Sequence, residues 1–129
     1  MSDRMDELDA ITAVVQMYVD GAAKADVGRL KEAFHESARM FGNEDDQSED
    51  MPISEFFEEV ATTPVPGLGF RSRIMNIDVV EDAAVAVLAE DDYLGVDYVN
   101  FFSLIKIDGT WKIVTKLFAV TGQTPTDEA

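Results

Sequence analysis

The chain has 129 residues, 47% of them hydrophobic, with 26 acidic side chains against 10 basic ones, so its formal charge at pH 7 is -16. That length fits one domain and not two, and so acidic a chain repels phosphate backbones and anionic lipid headgroups, so nucleic-acid and membrane-surface partners are not expected. The absence of Cys excludes disulfides, thiolate nucleophiles and iron–sulfur clusters, and a single His, His35, cannot build a multi-histidine metal site, so no metal or other cofactor is expected. The start MSDRMDELDA lacks the positive and apolar regions of a secretory signal, and the longest apolar run, Ala83 to Ala89, is far too short to span a membrane. A cytoplasmic protein is the expectation.

The apolar residues Leu8, Ile11, Val15, Tyr18 and Ala22 recur at helical spacing and predict a helix over 4–24. Asp26 can cap a second, short helix in which Val27, Leu30 and Phe34 point one way. Residues 37–41 read as a short strand, and 43–50, with five acids in eight positions, as a solvated loop. Pro52 opens a third helix with Ile53, Phe56, Phe57 and Val60 on one side, and the glycines and prolines of 62–69 end it. From there the period becomes extended, and 70–81, 83–93, 97–107 and 110–121 read as four strands joined by short turns, of which Asp108-Gly109 is the strongest hairpin signal. Helices followed by a meander give an α+β layer fold, three helices on one face of a bent antiparallel sheet. The whole of 1–129 reads as one domain, with an ordered core of about 4–121 and a tail at 122–129.

A two-residue turn at Asp108-Gly109 sets Ile107 against Thr110 and so fixes a register. Val99, Phe101 and Ser103 then lie beside Phe118, Lys116 and Val114 on one face. Tyr98, Asn100, Phe102 and Leu104 lie with Leu117, Thr115 and Ile113 on the other. Both faces are apolar and three short helices cover one, so a homodimer through Tyr98, Asn100, Phe102, Leu104, Ile113 and Leu117 is the expected cover for the second.

The segments Val14 to Gly21, Asp26 with Leu30, Ala33-Phe34-His35, Arg73-Ile74, Ala83 to Ala86, and Asp108 to Val114 with Lys116 and Phe118 resemble the nuclear transport factor 2-like superfamily. The resemblance covers about 8–120 and is greatest to the SnoaL-like and putative lumazine-binding groups. It implies a cone-shaped α+β barrel, and a family name that assigns no established reaction. The segment around Tyr18 is also similar to the ketosteroid isomerase helix whose tyrosine donates to an oxyanion. That chemistry needs a carboxylate base and a second acid, yet an ungapped alignment puts the base position on Gly42 and the second acid near 101–103, where no carboxylate stands. Isomerase activity of that type is not expected.

The expected ligand site is a pocket for a small molecule, lined by Tyr18, Phe34, Phe57, Phe101, Lys116 and Phe118, with Tyr18 and Lys116 as its polar groups. His35 is placed at the end of the second helix, where the dipole favours an imidazolium. Glu90-Asp91-Asp92 and the acids of 43–50 lack the ligand spacing of a calcium loop and read as solvated charge. Gly67-Leu68-Gly69 lacks the third glycine of a dinucleotide fingerprint and reads as a turn, and Arg71 and Arg73 read as partners of surface acids. No complete catalytic set is visible, so a binding protein with a hydrophobic pocket is the first reading. An enzyme acting on a small aromatic or polyketide-like substrate and a dimeric interaction module with a filled cone are the alternatives. A buried carboxylate within hydrogen-bond reach of Tyr18 or Lys116 would turn the reading toward an enzyme.

Overall fold

A computed structural model describes residues 3–123. Helix α1 spans Arg4–Lys24, capped by the Asp3 side chain, which accepts from the Asp6 N–H at 2.8 Å, and it buries Ile11, Val14, Val15, Tyr18 and Ala22. Ala25 ends it in the left-handed conformation at φ 52. Helix α2, Val27–Ala33, follows at once, capped by Asp26. It packs so tightly on α1 that a Cβ at Gly21 would lie 2.8 Å from the Leu30 side chain. Helix α3 is Ile53–Thr62 and buries Ile53, Phe57 and Val60.

Six strands complete the chain: β1 Phe34–Glu44, β2 Gln47–Pro52, β3 Arg71–Val80, β4 Ala83–Tyr93, β5 Val96–Ile107 and β6 Thr110–Gln123. They form one sheet in the order β2-β1-β6-β5-β4-β3, so it is open, with β2 and β3 at its edges, and not a closed barrel. It is also mixed: β1 runs parallel to β6, whereas the other four pairings are antiparallel. The parallel pair is possible because α3 and β3–β5 form a long connection between the two strands. Strand β6 extends through Gln123, so the tail expected from 122 begins later, and 124–129 lie outside the described residues. No helix among the described residues is long and apolar enough to cross a membrane.

Two expectations are corrected here. The acidic stretch 43–50 is not a loop but the tip and return of the β1–β2 hairpin, with Asn43 paired to Ser48 and Glu44 to Gln47. Its turn residues Asp45 and Asp46 take φ 51 and 65, the left-handed pair of a two-residue hairpin turn that Asp tolerates better than most side chains. On an edge strand the carboxylates also discourage pairing with another chain.

The second correction concerns β5 and β6. Ile107 does face Thr110 and Leu104 faces Ile113, as the turn requires, but Ser103 then faces Thr115 because Val114 is an extra, bulged residue. Beyond it Lys116 opposes Phe102 and Phe118 opposes Asn100. The bulge thereby puts Lys116 and Phe118 on the same face as Tyr98, Asn100, Phe102, Leu104, Trp111 and Ile113, under the helices. Of the proposed dimer residues, Asn100, Phe102, Leu104 and Ile113 are at most 2% exposed, so they are core, and Leu117 alone faces outward at 49%. Each large apolar side chain so buried contributes about 1.5–3 kcal/mol.

Candidate functional site

Between α1, α3 and the inner sheet face, at the end of the sheet that carries the β1–β2 and β4–β5 turns, lies a partly open cavity of about 110 Å³. Its inner wall is set by period-two alternation along β4, where Ala84, Ala86, Leu88 and Glu90 are all buried. Glu90 is 3% exposed. Its Oε1 accepts from Asn100 Nδ2 at 2.6 Å and from the Tyr18 hydroxyl at 3.5 Å. Its Oε2 has no hydrogen-bond partner among the described residues. Burial pushes the Glu90 carboxyl above its ordinary range, against the opposing pull of Lys116, Asn100 and Tyr18. Burial likewise pushes the Tyr18 hydroxyl well up, with the Glu90 charge adding to it.

Lys116 enters the same cavity from β6. Its ammonium position lies 5.0 Å from the Phe56 ring centroid, 5.1 Å from Phe118 and 5.8 Å from Tyr18, within cation–π range of all three. The ion pairs among the described residues lie elsewhere, at Arg39–Asp50 and Lys106–Glu7. Burial lowers the Lys116 pKa, and Glu90, Glu49, Glu44 and Glu59 push it part of the way back. Burial thus draws the pKa of the acid and that of the base toward each other within one cavity.

The expected pocket residues divide into three groups. Tyr18, Lys116 and Phe118 line the cavity. Phe34 and Phe57 lie behind it as packing, Phe34 edge-on to Tyr18 at 6.0 Å and to Phe57 at 5.7 Å. Phe101 is on the outer face, 44% exposed, because the Val114 bulge separates it from Lys116. Gly42, at the position of the isomerase base, holds no side chain, and the ring of Phe118 occupies the space a Cβ would need.

Outside the cavity, His35 is two residues beyond α2, in β1, and its Nδ1 accepts from the Ser37 N–H at 3.0 Å. Gly67 accepts from the Phe70 N–H in a turn, as expected. Arg71 and Arg73 are exposed on the edge strand β3 and make no ion pair among the described residues. The three acids 90–92 do not act alike: Asp92 accepts from the Gly95 N–H and shapes the β4–β5 turn, while Glu90 turns inward. Sequence reasoning missed Glu90 by grouping it with its charged neighbours. The signal was present in the alternation Ala84, Ala86, Leu88, Glu90.

Comparison with known proteins places the chain in context. The model of the family described as "Putative lumazine-binding" matches residues 6–119. An aldolase, FrzH, of Cladobotryum sp. is 30% identical over 113 residues, covering 87% of this chain and 90% of its own length. A nuclear transport factor 2-like protein of unknown function from Shewanella baltica superposes with a TM-score of 0.89 at 30% identity, over 95% of this chain and 100% of that one. A similar protein from Methylobacillus flagellatus gives 0.87 at 29% identity, over 94% and 97%. A ketosteroid isomerase-like protein from Erwinia carotovora atroseptica, at 17% identity and a TM-score of 0.70 over 90% and 97%, shares the fold. The chain belongs to the family described as putative lumazine-binding, within the nuclear transport factor 2-like superfamily.

Proposed function

We propose that this protein is an enzyme that forms an enolate from a small carbonyl compound, in an aldol-type addition or cleavage, with Tyr18, Glu90 and Lys116 as its working groups. The observation that carries this is Glu90, a buried carboxylate bonded to Tyr18 through one oxygen and with the other oxygen unpartnered in the same cavity as Lys116. A bare binding site gains nothing from so costly a group. The aldolase among the relatives supports the same chemistry, and the cavity volume suits a small substrate or one end of a larger one.

In this reading Oε2 of Glu90 removes a proton from the carbon next to the carbonyl. The charge moves to the carbonyl oxygen, which meets the Lys116 ammonium; the enolate carbon then bonds to a second carbonyl carbon, whose oxygen takes up the proton held by Glu90 and so restores the carboxylate, and cleavage is the reverse. Asn100 and Tyr18 hold the other carboxylate oxygen in place. The test is deuterium exchange of the methylene protons of phenylacetone in heavy water, followed by NMR. The wild-type protein should exceed the buffer rate, and Glu90→Gln should lose about 100-fold or more of the excess. A wild-type rate equal to buffer, or one that Glu90→Gln leaves intact, overturns the reading.

We also infer a homodimer through the outer sheet face. Val87, Phe101, Leu117 and Phe41 follow one another in register across four strands, and Phe41, Phe101 and Leu117 are 37%, 44% and 49% exposed. Two copies of a chain charged to -16 can meet only through a face with few carboxylates. Phe101→Glu should shift the sedimenting species from dimer to monomer, and a 14 kDa wild-type species at micromolar concentration overturns the inference.

A further inference from the structure

Three glutamates from three different elements ring the mouth of the cavity: Glu44 at the end of β1, Glu49 in β2 and Glu59 on α3. Glu49 faces Gly42 and Glu44 faces Gln47 across the hairpin, so the two lie diagonally on one face, and at Glu59 burial raises the carboxyl with Glu49, Glu55 and Glu44 adding to the rise and Lys116 opposing it. Glu44 is anchored by the Tyr98 hydroxyl, which donates to both of its oxygens at 3.2 and 3.3 Å. Two further tyrosine and phenylalanine rings, Tyr93 and Phe56, share the same lining. Deeper in, Glu90 is a fourth carboxyl group, buried, lining the cavity, and carrying an oxygen that no described residue partners. Lys116 is the one cationic side chain among the lining residues, and it sits at the inner side, caged by rings.

Like charges gathered on separate elements repel, and the fold retains that cost unless something positive enters among them. Carboxylates interleaved with aromatic rings are the surroundings an organic ammonium group prefers, by ion pairing and by attraction to the ring faces. An anionic substrate would have to pass the same ring of charge to reach Lys116. We propose that the substrate carries a positively charged amine, held at the mouth by Glu44, Glu49 and Glu59, while its reacting end points inward to Glu90 and Lys116. The repulsion of Lys116 fixes the orientation, since it keeps the ammonium at the outer end. This names the substrate class of the enolate-forming site and so rests on that reading, but its test reads binding alone.

Benzylamine, benzyl alcohol and benzoate share a ring and differ in charge, and calorimetry at low ionic strength compares them on the wild-type protein. Benzylamine should bind about tenfold more tightly than benzyl alcohol, benzoate should show no binding, and high salt should narrow the gap. The double variant Glu49→Gln, Glu59→Gln, both away from the core, should lose about tenfold for benzylamine and nothing for benzyl alcohol. Glu90→Gln should keep the charge preference even though it removes proton exchange, so the two readings fail separately. The proposal is overturned if benzoate binds as well as benzylamine, if amine and alcohol bind alike, if none of the three binds, or if the double variant keeps the preference.

Discussion

The two ends of the β5–β6 ladder each hold a glutamate and a lysine, and they use them in opposite ways. At the end near the Asp108-Gly109 turn, Lys106 Nζ donates to Glu7 Oε2 at 2.7 Å and Trp111 Nε1 donates to Glu7 Oε1 at 3.1 Å. Both partners keep some contact with water, and both carboxylate oxygens are used, so the trio fastens the first turn of α1 to the sheet. The Lys106 and Trp111 hydrogen bonds hold the Glu7 carboxyl below its ordinary value. At the other end Glu90 and Lys116 are both buried and do not form a close ion pair, and burial moves each toward its neutral form. The same residue types make a latch where they touch in part-exposed surroundings, and a pair with pKa values drawn toward each other where they are buried apart.

The largest test of this contrast removes the residue that separates the two ends. Deleting Val114 should restore an unbroken ladder in which Thr115 still opposes Ser103 and Lys116 still opposes Phe102, so Trp111, Ile113, Lys116 and Phe118 all keep the inner face and only the local bend of the bulge is lost. The expected result is a cooperative thermal melt lowered by roughly 5–10 °C, checked by circular dichroism, and loss of cooperative unfolding would show that the bulge holds more than the local bend.

A smaller effect is expected from exchanging each lysine for methionine. Lys116→Met should leave the melting temperature unchanged or raised, because an apolar stem of similar shape packs among Phe56, Phe118 and Tyr18 without the burial cost. Lys106→Met should lower it by a few degrees, as its bond to Glu7 is lost. Equal losses in the two variants would erase the distinction drawn between the ends.

The smallest and most diagnostic effect is in the pH dependence of stability. The lowered Glu7 pKa contributes stability above the ordinary carboxylate range, and that contribution is lost as pH falls through the folded value. The raised Glu90 pKa has the reverse sign: its ionised form costs stability at higher pH, and the cost disappears on acidification. Glu7→Gln should therefore destabilise near neutrality and Glu90→Gln stabilise, with both differences closing in acid. Thermal melts across a pH series check this, and differences of one sign would break the comparison.

The helices and the Asp108-Gly109 hairpin were legible in the sequence because each rests on local chemistry, an Asp cap, a 3.6 period or a turn dipeptide. The interior face of β6 was not, because one bulged residue inverts every position after it. Trp111 and Phe118 are an odd number of positions apart, so both can be buried on one face only if the ladder contains such an extra residue, and that spacing was the available sign. Tyr18 and Lys116 were found from their setting among apolar neighbours. Glu90 was hidden by composition, since it is followed by two acids, of which Asp91 is exposed in the ladder with Arg71 and Asp92 shapes the β4–β5 turn. The β1–β2 hairpin was hidden for the same reason: an acidic stretch reads as solvent-facing, which it is, without revealing that its backbone is paired.

The parallel contact between β1 and β6 also governs when the molecule can become whole. Tyr18 and Glu90 are separated by 72 positions, and Trp111 and Glu7 by 104, so the pieces of both ends come from distant parts of the chain. A ribosome must synthesise β6 before β1 can acquire its inner neighbour. Until then the growing polypeptide holds only the local helices and the hairpins already made, with their apolar sides uncovered. Closing such long loops comes late and is slow, on the order of milliseconds to seconds for sheet-rich topologies. Nascent chains stalled before β6 would thus expose aggregation-prone surface and contain no assembled cavity.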